Sequence, residues 1–245
     1  MLMMDHTGMS EKKWSEVVNA IEEIAPDYDR INSLITFGMA DKWRREVASK
    51  AGPDDVVLEI GSGPGSFAKR LDSRQVYCLE PSRHLAEFSK GIIDRDRTSL
   101  LQGLGERIPL ADESVDKVFC VFSFRDFIDK PAGVSEMLRV LREGGQAFIV
   151  DVAKPPPGPL AKLLDLHVKH LVPKLARVAA SPAAYQRLSR DPYRTFYDTY
   201  EAFGFTSVYE ELLRKKGFEQ VGTEFLTMKG ATMTRGSKPW TSTSS

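Results

Sequence analysis

The sequence predicts a doubly wound α/β fold built on a mostly parallel, seven-stranded sheet. Three observations support this prediction. Short apolar runs rich in β-branched and aromatic residues, which are typical of strands covered on both faces, alternate with stretches of helical pattern. The connections between these segments are short, as in sheets whose parallel strands are joined by helices. A glycine-rich turn follows the first run, and in such sheets ligands bind where a strand passes into a helix.

The central part of the chain supplies five predicted strands and the helices between them. The strands are predicted at residues 56–60, 76–80, 99–102, 117–122 and 146–152. The helices are predicted at residues 66–71, 82–91 and 130–141. We expect Gly144 and Gly145 to end the last of these helices, because glycine commonly follows a helix C-terminus.

The two flanks of the chain have helical patterns of their own. Helices are predicted at about 11–24 and 32–51 before the sheet and, beyond a Pro-Pro-Pro boundary at 155–157, at about 160–178 and 194–203. A further helix is predicted to begin at a Thr206 cap and to end before Gly217. Strands at about 219–225 and 228–235 then form a closing antiparallel pair.

Composition excludes several classes of protein. The 245 residues carry 34 Lys and Arg and 34 Asp and Glu, so broad binding to a nucleic-acid backbone is disfavoured. Only Cys78 and Cys120 are present, both within apolar runs, which excludes a disulfide framework and a zinc site and predicts no metal. The first ten residues lack the apolar stretch of a secretory signal, and no apolar run approaches the ~20 residues of a membrane span. We expect a cytoplasmic protein that is at most peripheral at the inner face of the membrane.

The glycine loop is the clearest candidate binding motif. Residues 59–65 read Glu-Ile-Gly-Ser-Gly-Pro-Gly, and glycines there allow the backbone to turn sharply and to approach a ligand closely. The third glycine arrives one residue earlier than in the G-x-G-x-x-G dinucleotide fingerprint, with Ser66 in its place, which disfavours a nicotinamide dehydrogenase. Glu80 ends the second strand 19 residues after Gly61. Its carboxylate can accept hydrogen bonds from both hydroxyls of a ribose. Alternatively, it can cap the helix after Pro81.

The chain resembles class I S-adenosylmethionine-dependent methyltransferases in three features. These are the acidic-x-G-x-G-x-G pattern, the acidic end of the second strand and the run Arg-Val-Leu-Arg-Glu-Gly-Gly at 139–145. This resemblance spans about residues 52–152 and implies a Rossmann-like methyltransferase sheet with S-adenosylmethionine as cofactor. It implies that the loop glycines line the methionine part, that Glu80 binds the ribose and that residues 103–106 contact the adenine. Leu104 stands where the family usually has an acidic or amide side chain. We therefore expect backbone N–H groups to form the hydrogen bonds to the adenine. The candidate cofactor-binding residues are Glu59, Gly61, Ser62, Gly63, Pro64, Gly65, Glu80, Pro81, Leu104, Gly105, Glu106 and Val121.

A narrower resemblance extends over residues 28–238. Three elements are similar to those that open the ubiquinone/menaquinone-biosynthesis C-methyltransferases. They are Tyr-Asp-Arg-Ile-Asn at 28–32, Thr-Phe-Gly at 36–38 and Trp-Arg at 43–44. Later elements at 122–126, 152–155, 170–173, 226–227 and 235–238 follow in the same order. The chain departs from this pattern in three places: Asp126 replaces an Asn, Ser123 replaces a Gly, and Val121 stands where the family has a Ser.

This resemblance implies a division of the chain by role. We expect a substrate cap at 1–51, a cofactor-binding core at 52–154, a helical lid with substrate contacts at 155–216, closing strands at 217–238 and a mobile tail at 239–245. It also implies a prenylated hydroquinone, such as a demethylmenaquinol, as the acceptor of a C-methylation in quinone biosynthesis. The runner-up is another small apolar or aromatic acceptor, methylated at oxygen or nitrogen. The intact glycine loop disfavours a non-catalytic binding subunit.

Ring-carbon methylation needs an electron-rich ring, which a hydroquinone provides when one phenol loses its proton. Since a free phenol titrates near pKa ~10, the site needs a base or a cation that favours phenolate. The candidate catalytic residues are Arg125, Asp126, His170 and Tyr28. Each has an alternative structural role: an ion pair at the strand end for Arg125 and Asp126, solvated surface for His170, and pocket shaping for Tyr28.

The 154–178 stretch combines leucines with an excess of lysine and arginine. A basic amphipathic helix can lie on an anionic membrane surface, where a long-tailed quinol would dissolve. The same pattern also suits a lid helix whose apolar face covers the cleft. We therefore expect a lipophilic acceptor, a possible transient membrane contact through 154–178 and no nucleic-acid partner, with a homo-oligomer left open.

Overall fold

The computed structural model describes residues 9–153, 158–181 and 207–240. Four features of the sequence analysis lie outside these described residues: the Pro-Pro-Pro boundary, the helix predicted at 194–203, the Thr206 cap and residues 241–245. Within them, no helix is both long enough and apolar enough to cross a bilayer.

The described residues form one seven-stranded sheet with the order β3-β2-β1-β4-β5-β7-β6. The strands are Val56–Ile60 (β1), Gln75–Glu80 (β2), Thr98–Gln102 (β3), Val115–Val121 (β4), Leu141–Val152 (β5), Glu219–Phe225 (β6) and Ala231–Ser237 (β7). Strands β1 to β5 pair in parallel, and β7 lies antiparallel between β5 and β6. This confirms the predicted doubly wound, mostly parallel fold. The strand order reverses between β1 and β4, and a ligand cleft forms at such a point, beyond the carboxyl ends of the strands.

Helices cover both faces of the sheet. They are Glu11–Ile24 (α1), Tyr28–Ile35 (α2), Met39–Ala48 (α3), Arg83–Ser89 (α4), Lys130–Val140 (α5), Pro159–Leu166 (α6), Val172–Ala179 (α7) and Ser207–Lys215 (α8). A π-helix, His167–Leu171, joins α6 to α7. The π-helix and both flanking helices run from residue 159 to residue 179, where the sequence predicts a single helix at about 160–178.

Alternation along β4 shows how the sheet divides its core. Val118 and Cys120 face a cluster that includes α5 and α8, whereas Phe119 and Val121 face a cluster that includes α3. Phe119 stacks on Phe148 of β5 with ring centroids 4.9 Å apart. Because both faces are covered, the strands read as continuous apolar runs, and β1 is buried at every position.

A third apolar cluster connects the two flanks of the chain. Ile31 and Ile35 of α2 pack against Val172, Ala176 and Ala179 of α7. The N-terminal segment and the segment after residue 158 therefore share a small core of their own, beside the sheet.

Several element boundaries differ from the sequence predictions. The helix predicted at 32–51 is broken at Phe37 and Gly38, which have φ of 52° and 79° and cannot continue a right-handed helix. The helix predicted at 66–71 is a single 3₁₀ turn, Ala68–Arg70. The helix predicted at 130–141 ends at Val140, within one residue of the prediction, but β5 begins at once at Leu141, which pairs with Val115, rather than after Gly144 and Gly145.

Candidate active site

An open cleft lies beyond the carboxyl ends of β1, β2 and β4, with a volume of about 890 Å³ including its mouth. Its floor is formed by the loops that follow these strands, and the region of 103–106 forms one end. Helix α1 forms a wall. Of the residues predicted to bind the cofactor, those that line the cleft are Glu59, Gly61, Ser62, Gly63, Pro64, Glu80, Pro81, Leu104, Gly105, Glu106 and Val121.

The glycine loop presents bare backbone to this cleft. Gly61 has φ of 70° and donates its N–H to the Leu79 carbonyl over 2.8 Å, so the chain turns across the end of β2. A Cβ at Gly61 would lie 2.6 Å from Cβ of Ser123, whereas a Cβ at Gly63 would meet no atom within 4 Å. Gly65 is not among the cleft residues, and a Cβ there would lie 2.8 Å from Cγ2 of Ile93. The first two glycines therefore face the cleft and the third permits packing behind it.

Glu80 is held at the wall of the cleft by two backbone groups. Its Oε2 accepts from the N–H of Gly63 over 2.8 Å, and its Oε1 accepts from the N–H of Ser82 over 2.9 Å. Helix α4 is capped by the hydroxyl of Ser82, which accepts from the N–H of Leu85, rather than by Glu80. Since a carboxylate oxygen can accept more than one hydrogen bond, Glu80 keeps acceptor capacity for ligand hydroxyls. Burial raises the pKa of Glu80, and Glu22 of α1 adds to the rise.

Glu59 is the most perturbed acid in the cleft. It is 2% exposed, and its Oε2 has no hydrogen-bond partner among the described residues. Burial raises the pKa of Glu59 to about 8, with Arg44 opposing the rise and Glu80 adding to it. A buried acceptor with an unsatisfied oxygen is costly unless a ligand supplies a donor, so this position suits a cationic group.

The loop after β3 contributes Leu104, Gly105 and Glu106 to the cleft. Leu104 is 37% exposed, and Pro81 also lines the cleft. Gly105 is required there, because a Cβ would lie 2.4 Å from the ring of Phe127. The Oε1 of Glu106 accepts from the N–H groups of Ile128 and Asp129 over 2.7 and 3.1 Å, so this carboxylate holds the loop after β4.

Arg125 and Asp126 follow β4 but point to different surroundings. Nη1 of Arg125 lies 2.7 Å from Oδ1 of Asp151, a residue of β5 that is 1% exposed. Arg125 is not among the residues that line the cleft, whereas Asp126 is. Oδ1 of Asp126 lies 3.7 Å from Nε of Arg125 and has no hydrogen-bond partner among the described residues. Burial raises the pKa of Asp126 to about 6, with Arg125 opposing the rise and Asp151 adding to it.

The other two catalytic candidates lie apart from each other. Tyr28 of α2 lines the cleft. His170 is exposed on the π-helix and is not among the cleft residues. The neighbouring His167 faces the N-terminal segment, where its Nε2 lies 2.8 Å from the carbonyl oxygen of Ile35.

Sequence reasoning missed two parts of the cleft. One is the inner face of α1, which contributes Trp14, Val17, Val18 and Ile21. Their spacing of three, four and seven residues is the signal of an amphipathic helix face, although it does not say what the face covers. The other is Arg44, which lines the cleft from α3; the sequence marks it only as part of the Trp-Arg element at 43–44.

The fold is that of the class I S-adenosylmethionine-dependent methyltransferases. A SAM-dependent methyltransferase structure from Thermotoga maritima matches with a TM-score of 0.61 and 22% identity, over 91% of this chain and 99% of that one. A SAM-dependent methyltransferase structure from Aquifex aeolicus matches with a TM-score of 0.55 and 16% identity, over 80% and 89%. At these identities the likeness concerns the fold.

The chain belongs to the ubiE/COQ5 methyltransferase family, whose sequence model matches residues 6–238. A demethylmenaquinone methyltransferase from Mycobacterium sp. (strain JLS) is 31% identical over 73% of this chain and 78% of its own length. The enzyme of that name from Clavibacter sepedonicus is 29% identical over 93% and 92%. A ubiquinone/menaquinone biosynthesis C-methyltransferase from Vibrio campbellii is 26% identical over 91% and 87%.

The cleft fits the family's cofactor. S-adenosylmethionine carries a sulfonium, an ammonium, a carboxylate and a ribose. The oxygen of buried Glu59 that has no partner in the described part of the chain suits a cation, and the fixed carboxylate of Glu80 suits vicinal hydroxyls. The open space above Gly63 lets a ligand approach the loop backbone.

Proposed function

We propose that this enzyme methylates a ring carbon of a prenylated hydroquinone in quinone biosynthesis. The observation that carries the proposal is its similarity, over most of the chain, to relatives named demethylmenaquinone methyltransferase. S-adenosylmethionine, when bound, supplies an electrophilic methyl group. The protein must then hold the acceptor ring in line with that group, exclude water and favour the phenolate.

Asp126 is our candidate for the group that takes the phenol proton. It lines the cleft, and its Oδ1, 3.7 Å from Nε of Arg125, has no hydrogen-bond partner among the described residues. Its pKa of about 6 leaves it ionised at neutral pH while keeping it a stronger base than an ordinary aspartate. Arg125 acts in this proposal as a positioning residue, because its ion pair with buried Asp151 fixes the turn that carries Asp126. Tyr28 shapes the acceptor side of the pocket, and His170 is left with no role in the chemistry.

The cofactor roles in this proposal follow the geometry of the loops. The backbone at Gly61 and Gly63 receives the methionine part, Glu59 faces its cationic groups and Glu80 accepts the ribose hydroxyls. The adenine lies near Pro81 and Leu104, both of which line the cleft. Val121, 8% exposed, forms part of the floor in place of a polar side chain.

The lipophilic tail of the acceptor gives the α6–α7 region a proposed role at the membrane surface. Leu163, Leu166 and Leu171 are exposed there beside Lys162, Lys169 and Lys174. Lys154 and the side chains of Leu160, Leu164 and Arg177 lie outside what the structure describes. We propose transient contact with anionic lipid, to which each basic residue near the surface contributes about 1 kcal/mol.

A vesicle assay tests the membrane contact. Changing Lys162, Lys169 and Lys174 together to Glu should abolish binding to vesicles containing anionic lipid. A control with Lys42, Lys90 and Lys215 changed to Glu carries the same change of charge on exposed lysines elsewhere and should bind like the wild type. Equal binding by the two variants would refute the contact.

A transfer assay tests the acceptor. Purified enzyme with labelled S-adenosylmethionine should methylate a short-tailed demethylmenaquinol that is kept reduced, and it should not methylate the oxidised quinone, whose ring has no phenol to ionise. The replacement of the family's Asn by Asp126, in the cleft, favours a second candidate: a different small aromatic acceptor methylated at oxygen or nitrogen. Methylation of a catechol or an aromatic amine, with no transfer to any quinol, would support that candidate instead.

A further inference from the structure

Arg44 is a buried cation in the wall of the cleft. It belongs to α3, is 5% exposed and lies among the residues that line the cleft. Its guanidinium carbon lies 5.9 Å from the ring centroid of Tyr28 and 5.5 Å from that of Phe122. Two aromatic faces therefore flank this charge, which limits its contact with water.

The guanidinium of Arg44 forms no hydrogen bond or ion pair with any side chain in the part of the chain that the structure describes. The carboxylates of Asp29 and Glu59 are near enough for its charge to oppose the rise that burial causes in both pKa values. The next residue, Arg45, pairs with Asp41, and Arg70 pairs with the same carboxylate. A buried charge is costly unless it is paired and hydrogen-bonded, and a guanidinium matches a carboxylate with two parallel hydrogen bonds. The position is therefore suited to an anionic group that enters with a ligand.

Glu59 carries the complementary charge in the same cleft. Arg44 is near enough to lower the pKa of Glu59, yet the two do not form an ion pair, and Oε2 of Glu59 stays without a partner among the described residues. A ligand with both an ammonium and a carboxylate would satisfy both side chains at once. The α-amino acid end of S-adenosylmethionine is such a group.

We propose that Arg44 binds the α-carboxylate of the cofactor. The inference depends on the cofactor assignment of the cleft and not on the identity of the acceptor. Because α3 lies in the N-terminal segment, this contact joins that segment to the cofactor. The enzyme would thereby distinguish S-adenosylmethionine from derivatives that lack the carboxylate, before any acceptor binds.

Calorimetric titration in the absence of acceptor tests the proposal. The ligands are S-adenosylmethionine and its decarboxylated form, and the proteins are the wild type, Arg44→Met, Arg44→Lys and the control Arg45→Met. Wild type and control should bind the decarboxylated form roughly 10- to 100-fold more weakly, as expected for loss of a charged hydrogen-bond pair. Arg44→Met should bind the two ligands within about threefold of each other, with Arg44→Lys in between.

Two outcomes would overturn the proposal. One is an Arg44→Met protein that still discriminates against the decarboxylated form as strongly as the wild type. The other concerns 5′-methylthioadenosine, which lacks the whole amino acid end. If Arg44→Met weakened binding of this ligand as much as binding of S-adenosylmethionine, Arg44 would serve the shape of the cleft rather than the carboxylate. A failure to methylate quinols would leave these binding results unchanged.

Discussion

Cofactor affinity should fall steeply as pH falls below 8, because Glu59 must lose its proton to face a cation. Burial raises the pKa of Glu59 to about 8 in the cofactor-free protein, so at neutral pH most molecules carry a neutral Glu59. A cationic ligand favours the ionised form and lowers that pKa. Binding is then linked to the release of a proton.

The size of the effect follows from that pKa. For an acid with a pKa of about 8, the ionised fraction rises from roughly 1% at pH 6.0 to roughly 24% at pH 7.5. Affinity should therefore rise about 20-fold over this range if the bound form stays ionised throughout. The ligand's own amino group titrates near pKa ~7.7–8.0, so the useful range lies below that value.

Calorimetric titration at several pH values, compared with Glu59→Gln, isolates this contribution. The substitution keeps the shape of the side chain but cannot release a proton, and the titrations of the ligand, of Glu80 and of Asp126 are common to both proteins. The ratio of wild-type to variant affinity should rise about 20-fold from pH 6.0 to 7.5. A ratio that stays constant over this range would refute the role of Glu59 as a buried acid that ionises on binding.

The same pKa makes an opposite prediction for stability. The folded-state pKa of Glu59 lies above its ordinary value of 4.5, so the folded protein binds the proton more tightly than the unfolded chain. The resulting stabilisation is complete below pH 4.5 and is lost as pH rises through about 8. Glu59→Gln should therefore melt at a higher temperature than the wild type at pH 8.5 without cofactor, while binding the cofactor more weakly.

Three further predictions concern the loop and the turn after β4. Gly61→Ala should lower both stability and cofactor affinity, because its Cβ would lie 2.6 Å from Cβ of Ser123. Gly63→Ala meets no protein atom, so it should lower stability by only the roughly 1 kcal/mol of its left-handed backbone, but its Cβ would enter the space where the ligand approaches and should lower cofactor affinity; chemical denaturation and calorimetry check both variants. Asp126→Asn should slow turnover and remove the rise of kcat/KM through about pH 6, and a profile with an unchanged rise would exclude Asp126 as the base. Asp151→Asn should destabilise the fold by about 3 kcal/mol in urea melts, because it removes the carboxylate that lies 2.7 Å from the buried guanidinium of Arg125; a loss below about 0.5 kcal/mol would contradict that.

The sheet could be predicted from the sequence because burial on both faces leaves a local signal. The apolar runs that form β1 and β4 are continuous, and the acidic end of β2 falls beside the glycine loop. Boundaries were harder to predict where backbone conformation decides them. Phe37 takes a left-handed φ beside Gly38, and nothing in the composition of 32–51 marks that break apart from the glycine itself.

The sequence predicts which loops form the cleft, but it does not predict which helix residues and ion pairs surround them. The loop glycines and Glu80 are neighbours through strand order, which the α/β pattern implies. Arg125 and Asp151 are 26 residues apart and meet because β4 and β5 pair in parallel, a contact that depends on register. Arg44 could not be assigned to the cleft because helical periodicity does not say which tertiary surface a helix face covers.

The most direct test of the proposed function is the position of the transferred methyl group. The enzyme should be incubated with S-adenosylmethionine labelled in its methyl group and reduced demethylmenaquinol, and the product should then be fully reoxidised. Methylation at carbon predicts a labelled quinone that still accepts two electrons, with the label on the ring. A labelled ether that cannot be reoxidised to a quinone would place the methyl on oxygen and contradict carbon methylation.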